Sequence, residues 1–217
     1  MAKRLYFVAK PSYQGLIVEK TIEFESFRGE TLGQKHRSIE AMHHAIRAFE
    51  SGGRILEVSP VSPDEIGRRL AGIHLQFRTR EGDAYSVSNI FESSKVFEHG
   101  GPYKDLLYTD PETVSEDPRL RNSGRLLGFY FEDQPYGLVP RNLFFDYIYI
   151  RALMAQKELS EEIRSYDMVT DLEYSMGSMF ASSARACAYF ISLSKAGLLE
   201  ESLKSLESFQ KIYTLVF

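Results

Sequence analysis

The chain has 217 residues, of which 43% are apolar and 13% aromatic, so it can bury a packed core. Its net charge of −4 argues against a protein whose main role is to coat nucleic acid, because such binding needs an excess of Lys and Arg; a transiently bound nucleic-acid substrate stays open. The single cysteine, Cys187, excludes an internal disulfide, and no Cys/His cluster has the spacing of zinc ligands. We therefore expect no metal and no cofactor.

The amino-terminal segment MAKRLYFVAK is basic, and its apolar run ends at Lys10, too early for a secretory signal. No stretch approaches the apolar length that a membrane span needs. The sequence therefore predicts a cytoplasmic location and no membrane partner.

The first part of the chain combines short strands and helices. Residues 16–25 begin apolar and then alternate, which predicts a strand, and an apolar recurrence predicts a helix from Leu32 to Phe49. SGGRILEVSP indicates a turn and a short strand. Pro63 directly after Ser62 is typical of a helix start, and that helix is predicted to end near Gly72. IHLQFRTREGDAYSV then predicts two short extended segments around a Glu-Gly-Asp turn.

The second part begins with a predicted helix from Ser88 to Glu98. The segment from Gly100 to Arg125 is predicted to be irregular, and loops of this length inside a domain are usually functional. RLLGFYFED indicates a buried strand, PRNLFFDYIYIRALMAQ a largely buried helix, and MVTDLEY a short strand. After SMGSMF, helical spacing continues from Ser182 to Lys195, Gly197 interrupts it, and LEESLKSLESFQKIY predicts a last amphipathic helix. The order predicts one α+β domain over residues 1–217, mostly helical with short strands.

Four polar residues of the predicted helix, Ser88, Glu92, Lys95 and His99, follow one another at steps of four, three and four, so they line one face. That face is either solvated, with Glu92 and Lys95 in an exposed ion pair, or it is the wall of a site. The following HGGPY favours a site, because two glycines permit close approach of a ligand and can point N–H groups at a phosphate. The loop beyond it ends at Arg125 in RNSGR, a segment suited to contact an anion.

A lysine beside a carboxylate has two uses in breaking a bond to a sugar. If the lysine loses its proton, its amine can attack the anomeric carbon and form a Schiff base with the opened sugar; if it stays charged, it can stabilise an anionic leaving group. The carboxylate would act as a general acid or base, or would stabilise an oxocarbenium ion. Both routes lead to cleavage of a glycosidic bond.

The motifs YSVSNIFESSKVFEHGGPY, DPRLRNSGRLLGF and YDMVTDLEY, with the Ala-rich helix that follows them, resemble the NADAR family. They resemble most closely the branch found as antitoxins beside DarT-type DNA ADP-ribosyltransferase toxins, and the similarity runs from about Phe24 to Leu203. The resemblance implies a cleft for ADP-ribose and hydrolysis of the N-glycosidic bond between ADP-ribose and guanine in DNA. It implies two partners, ADP-ribosylated DNA as substrate and a cognate DarT-like toxin. Relatives outside this branch cleave other N-glycosides.

The resemblance also implies roles for individual residues. QKHRSI at Gln34 to Ile39 matches an upstream family motif. The implied catalytic residues are Lys95, Lys35, Glu92 and Glu173. The implied ADP-ribose-binding residues are Tyr85, Ser88, Asn89, Phe91, Gly100, Gly101, Arg125 and Asp171, with the diphosphate near the two glycines and the arginine.

Departures from the family pattern leave more than one function open. Ser88 stands where the family has glutamate, and Glu92 stands one helical turn later, about 5.4 Å along the axis, where it has glutamine. In MGSMFASSARA, Ser183 takes the place of a family glutamine. The chain is therefore either a hydrolase with a relocated carboxylate or a degenerate module that binds ADP-ribose or a partner without turnover. It could also be an N-glycosidase of a small metabolite, or an antitoxin that blocks its toxin stoichiometrically.

Several of these residues also have ordinary structural explanations. Lys35 lies in the basic run QKHR, Arg125 could pair with Asp117, and His99 suits a helix end because of the helix dipole. The aromatic series in the predicted buried helix is most simply core, although one ring could stack on a base: Phe144, Phe145, Tyr147 and Tyr149.

Overall fold

The computed structural model describes residues 1–12, 15–174 and 181–215, and it confirms the α+β class. The strands are β1 (Ala2–Ser12), β2 (Gly15–Phe24), β3 (Ile55–Glu57), β4 (Gln76–Arg78), β5 (Ala84–Ser86), β6 (Lys95–Phe97), β7 (Leu126–Phe131), β8 (Gln134–Tyr136) and β9 (Met168–Thr170). The helices are α1 (Leu32–Phe49), α2 (Glu65–Arg69), α3 (Val87–Ser93), α4 (Arg119–Asn122), α5 (Leu143–Met154), α6 (Lys157–Glu162), α7 (Ser183–Lys195), α8 (Leu199–Ser202) and α9 (Leu206–Leu215). Within the described ranges, no helix is both long and apolar enough to cross a membrane.

The largest sheet has the strand order β2-β1-β9-β3. β1 pairs antiparallel with both β2 and β9, whereas β3 and β9 run parallel, with Glu57 opposite Thr170. Parallel strands end at the same edge of a sheet, so the residues that follow β3 and β9 lie side by side. This pairing brings the start of the Val58–Ser59 segment next to the turn that begins at Asp171.

Helices cover both faces of this sheet. Tyr6 and Phe7 are successive residues of β1, so their side chains point to opposite faces. Tyr6 packs with Met42 and Ile46 of α1, and Phe7 belongs to the larger core cluster that includes Ala188 of α7. β1 was not predicted, because its charged residues interrupt the apolar pattern that reveals a strand covered on both faces.

The two main helices follow the sequence prediction. The bounds of α1, Leu32 to Phe49, are confirmed, and Thr31 and Gln34 form a capping box at its start. α5 is buried along most of its length, and its aromatic series Phe144, Phe145, Tyr147 and Tyr149 is core as predicted. The Tyr149 hydroxyl donates to the carbonyl oxygen of Leu70 at 2.5 Å, which satisfies a polar atom in this interior.

The predicted helix from Ser88 to Glu98 is wrong in its second half. α3 ends at Ser93, and Lys95 to Phe97 form β6, which pairs with β7. The hydroxyls of Ser93 and Ser94 donate to the Ile90 carbonyl oxygen at 3.1 and 2.6 Å, a local bond that competes with helix continuation. The polar stripe therefore does not lie on one helix.

The predicted role of His99 as a helix-end residue is wrong for the same reason. Its backbone N–H donates to the Ser123 carbonyl oxygen at 3.0 Å, beyond the end of β6. Pairing with a distant strand, which periodicity cannot register, decides the conformation here.

Three other boundaries differ from the sequence prediction. The predicted last helix is divided into α8 and α9, because the Ser205 hydroxyl accepts from the Ser208 N–H at 3.0 Å and starts a new helix. The segment from Gly100 to Arg125 contains α4 and short 3₁₀ turns instead of being wholly irregular. The predicted strand MVTDLEY ends at Thr170, where a turn follows. The segment SMGSMF, 175–180, lies outside the described residues.

We expect Asp146→Ala to lower the free energy of unfolding by about 3–5 kcal/mol, because it leaves a charged guanidinium without its partner in the core. Asp146 of α5 and Arg185 of α7 form a buried ion pair, with 0% and 5% of each residue exposed. Chemical denaturation measures the change. Lys204→Ala, which breaks the exposed pair with Glu201, is the control and should have little effect. A loss no larger than the control's would contradict this account of the core.

Candidate functional site

A cavity of 240 Å³ opens where the end of β9 meets α3 and the beginning of α7. Three carboxylates line it: Glu92 of α3, Asp171 from the turn after β9, and the exposed Glu112. Its lining also includes Gly72, Ser88, Phe91, Tyr174 and Ser183. A cavity with paired carboxylates and an aromatic wall suits acid–base chemistry on a bound ligand.

Glu92 and Lys95 form a close ion pair, although Lys95 lies on β6 instead of on the helix. The Lys95 Nζ is 2.5 Å from Glu92 Oε2 and 4.8 Å from the centroid of the Phe91 ring. The side chain of Lys95 is only 18% exposed and that of Glu92 12%, so they do not form the solvated surface pair that the sequence alone left open. Lys95 is therefore the partly buried charge partner of the Glu92 carboxylate at the cavity wall.

Ser88 and Glu92 line the same cavity from successive turns of α3. The Ser88 N–H donates to the Gly72 carbonyl oxygen, and the Gly72 N–H donates to Ser183 Oγ, both at 3.0 Å. A side chain at Gly72 would place its Cβ 3.1 Å from the hydroxyl oxygens of both serines, so this position favours glycine. The helix therefore presents a carboxylate to the cavity at Glu92 and a hydroxyl at Ser88.

The turn after β9 fixes Asp171 at the cavity. Asp171 Oδ1 accepts from the N–H groups of Glu173 and Tyr174, both at 3.0 Å, which closes the turn on its own side chain. Burial raises the pKa of Asp171 well above its usual range, and the nearby charge of Glu57 raises it further. The cavity therefore holds one carboxylate paired with a lysine and another whose pKa is raised.

Glu57 is a buried residue next to the Asp171 turn that the sequence reasoning missed. It is fully buried, and three donors surround its carboxylate: Leu172 N–H at 2.7 Å, Ser59 Oγ at 2.8 Å and Thr170 Oγ1 at 2.6 Å. Burial raises its pKa, which makes the surrounding donors necessary. The available signal was a glutamate inside the apolar run of RILEVSP, a position at which a charge needs partners.

His43 continues this buried network on α1. Its Nε2 lies 2.8 Å from Thr170 Oγ1, and since the threonine hydroxyl donates to Glu57, His43 Nε2 carries the proton that it shares with the threonine. Burial, with a smaller effect of the Arg47 charge, lowers the pKa of His43 to about 4. The imidazole is therefore neutral near pH 7.

Lys35 and Glu173, both implied as catalytic, lie together beside this turn. The Lys35 Nζ is 2.7 Å from Glu173 Oε1, and the two side chains are 23% and 39% exposed. The hydrogen bond to Glu173 raises the pKa of Lys35 above its usual value. Lys35 therefore stays charged at neutral pH, a state that favours ion pairing over attack as a free amine.

Other implied binding residues lie elsewhere in the fold. Among the described residues that line the Glu92 cavity, Gly100, Gly101 and Arg125 do not occur. A Cβ at Gly101, which has a φ of +86°, would overlap the Lys95 carbonyl oxygen. Arg125 Nη2 is 3.1 Å from Glu98 Oε1, and this partner replaces the proposed Asp117.

Asn89 and Tyr85 also point away from the Glu92 cavity. The buried Asn89 donates from Nδ2 to the carbonyl oxygens of Leu106 and Thr109, both at 2.7 Å, so it secures the loop after β6. Tyr85 lines a second cavity, of 320 Å³, and its hydroxyl donates to Tyr108 at 3.3 Å. Of the implied residues, the structure brings Ser88, Phe91, Glu92 and Asp171 into one cavity, with Lys95 directly behind it.

The fold and the cavity define an α+β protein with carboxylates in different electrostatic environments at a candidate ligand site. The model of the NADAR-DarT1 family, described as DarT1-associated NADAR antitoxin, matches residues 2–216. The chain therefore belongs to the family of DarT1-associated NADAR antitoxins, which confirms the resemblance seen in its motifs. A search of curated proteins found no match.

We expect the stabilising effect of His43 to disappear in acid. Its pKa is about 4 in the folded protein and 6.5 for the free group, so the unfolded chain takes up the proton first as the pH falls. Compared with His43→Gln, the native protein should lose about 1.4 kcal/mol of unfolding free energy per pH unit below 6.5, and the loss should level off near pH 4.

Denaturant titrations at a series of pH values measure this difference. His44→Gln, at the exposed neighbouring position on α1, is the matched control and should give a difference that does not depend on pH. A pH-independent difference for His43→Gln would contradict burial of a neutral imidazole.

Proposed function

We propose that this protein hydrolyses the N-glycosidic bond between ADP-ribose and guanine in DNA, and so reverses the modification made by a DarT-type toxin. The observation that carries the proposal is the pair of carboxylates at one cavity, Glu92 with its lysine and Asp171 with its raised pKa. Membership in a family of DarT1-associated antitoxins supports the choice of substrate. Environments that separate two carboxyl groups in this way suit an acid and a base in one reaction.

In the proposed reaction Asp171 is the general acid. Its carboxyl group donates a proton to the departing guanine as the bond between the sugar C1 and nitrogen breaks, and the electron pair of that bond goes to the nitrogen. Glu92, ionised beside Lys95, stabilises the positive charge that develops at C1. A water molecule adds its oxygen to C1 and gives its proton to Glu92. The products are free ADP-ribose and unmodified guanine.

Lys95 has a second possible role, because its amine could attack C1 directly. Its Nζ is 2.5 Å from the Glu92 carboxylate, and an ammonium in this ion pair cannot act as a nucleophile until it transfers its proton. Our proposal therefore makes Lys95 the charge partner of Glu92. Lys35, charged beside Glu173, would hold the turn that carries Asp171. Contact of Gly100, Gly101 and Arg125 with the diphosphate stays a prediction.

We expect the purified protein to release ADP-ribose from an oligonucleotide that carries ADP-ribosylated guanine. Glu92→Gln and Lys95→Ala should each lower kcat by about 100-fold or more, because the first removes the proposed base and the second its charge partner. Chromatography of the released ADP-ribose measures the rate. Glu112→Gln makes the same chemical change at an exposed position of the same cavity and should leave the rate close to native.

The same assay separates hydrolysis from binding without turnover. The serine at position 88 favours the second alternative, binding without turnover. A protein that binds ADP-ribose in calorimetry but releases none from the oligonucleotide would be a binding module, and the proposal would fail. Release that survives Lys95→Ala would remove the lysine from the mechanism.

The pH dependence of kcat/KM should show the proton on Asp171. A general acid works in its protonated form, and a raised pKa keeps that form populated to higher pH. The rate should therefore decline as the pH rises through the pKa of Asp171. Asp171→Asn should abolish most of the activity and remove this alkaline decline from what is left. An unchanged profile in Asp171→Asn would exclude the residue as the acid.

A further inference from the structure

We propose that Glu57 is a positioning residue for this reaction, which fixes the turn of residues 170–174 and so directs Asp171 into the cavity. The inference rests on the proposed function in giving Asp171 a chemical role. Glu57 is 0% exposed and therefore cannot touch a ligand, so any effect on the reaction must pass through the groups that it holds.

The contacts of Glu57 bracket Asp171 along the chain. Oε2 accepts from Thr170 Oγ1 at 2.6 Å, and Oε1 accepts from the Leu172 N–H at 2.7 Å. These two donors belong to the residues immediately before and after Asp171. A shift of Asp171 within the cavity would therefore break a hydrogen bond to a buried carboxylate, which is costly in an apolar interior.

A second side chain, from β1, holds Leu172 on the side opposite to Glu57. Arg4 of β1 donates from Nε to the Leu172 carbonyl oxygen at 2.7 Å, while Glu57 accepts from the Leu172 N–H. Leu172 is thus held at both its polar backbone atoms by side chains from two other strands. The turn has little freedom to rotate, and Asp171 keeps one orientation.

The hydrogen-bond network around Glu57 favours a carboxylate at this position. Thr170 Oγ1 accepts from His43 Nε2 and gives its one proton to Glu57. A glutamine at position 57 could keep one oxygen for Leu172 and Ser59, but its amide group would point two N–H donors at a hydroxyl that is itself the donor. The Thr170 hydroxyl would have to turn toward the Leu56 carbonyl oxygen, which is 3.4 Å away, or donate to His43 Nε2 after a change of the His43 tautomer, and either change rearranges the network.

Kinetics on the ADP-ribosylated oligonucleotide test the proposal with a matched pair of variants. Thr170→Val removes the hydroxyl at nearly constant shape, and Thr170→Ser keeps it. We expect Thr170→Val and Glu57→Gln to lower kcat by about 10- to 100-fold, because small displacements of a reacting group are costly in rate, with KM nearly unchanged. Thr170→Ser should retain near-native kcat. If Thr170→Val and Glu57→Gln both lose thermal stability but keep native kcat, the role of Glu57 is merely structural and the proposal is overturned.

A measurement independent of activity keeps this test apart from that of the proposed function. Amide hydrogen exchange followed by NMR reports on the Leu172 N–H, which should be protected in the native protein and exchange at least 10-fold faster in Glu57→Leu. Unchanged exchange at Leu172 would overturn the positioning role. Faster exchange together with no release of ADP-ribose by the native protein would support the hold on the turn and reject the proposed reaction.

Discussion

A carboxylate enclosed in an apolar interior has to be surrounded by donors, and this constraint at Glu57 organises the fold around the site. Its donors come from positions 59, 170 and 172, so satisfying one side chain ties the end of β3 to the end of β9 and to the turn beyond. His43 adds α1 to the same network through Thr170. The parallel pairing of β3 with β9 and the packing of α1 on the sheet therefore meet at this network, directly beside the Asp171 turn at the cavity.

The cavity combines two electrostatic environments within a short distance. Glu92 is paired with Lys95, whereas Asp171 is withdrawn from water and close to the negative charges of Glu57 and Glu173, and both effects raise its pKa. Two chemically similar groups at one cavity therefore have different electrostatic surroundings. The surroundings come from different parts of the chain: a strand after α3 for one group and a buried strand for the other.

Helices with a regular apolar period were predictable, and so was part of the site. The bounds of α1 and the aromatic core of α5 follow from local spacing, which the packed structure preserves. The proximity of Glu92 and Lys95 was also predicted, but for a reason that is wrong: the two residues meet across the end of α3, where pairing of β6 with β7 overrides the helical pattern. The partners of Glu57 were beyond prediction, since two of them lie 113 and 115 residues away in the chain.

The end of α3 at Ser93 bears on the departure at Ser88. Both Ser88 and Glu92 line the cavity, one helical turn apart, so a carboxylate at either position would reach the same space. They differ in their access to Lys95. Because the chain leaves the helix after Ser93, the lysine folds back against the last turn and meets Glu92, three residues earlier. A carboxylate in the last turn therefore acquires a partly buried charge partner in addition to its place at the cavity. With serine at position 88, α3 still presents a carboxylate to the cavity one turn later, at Glu92.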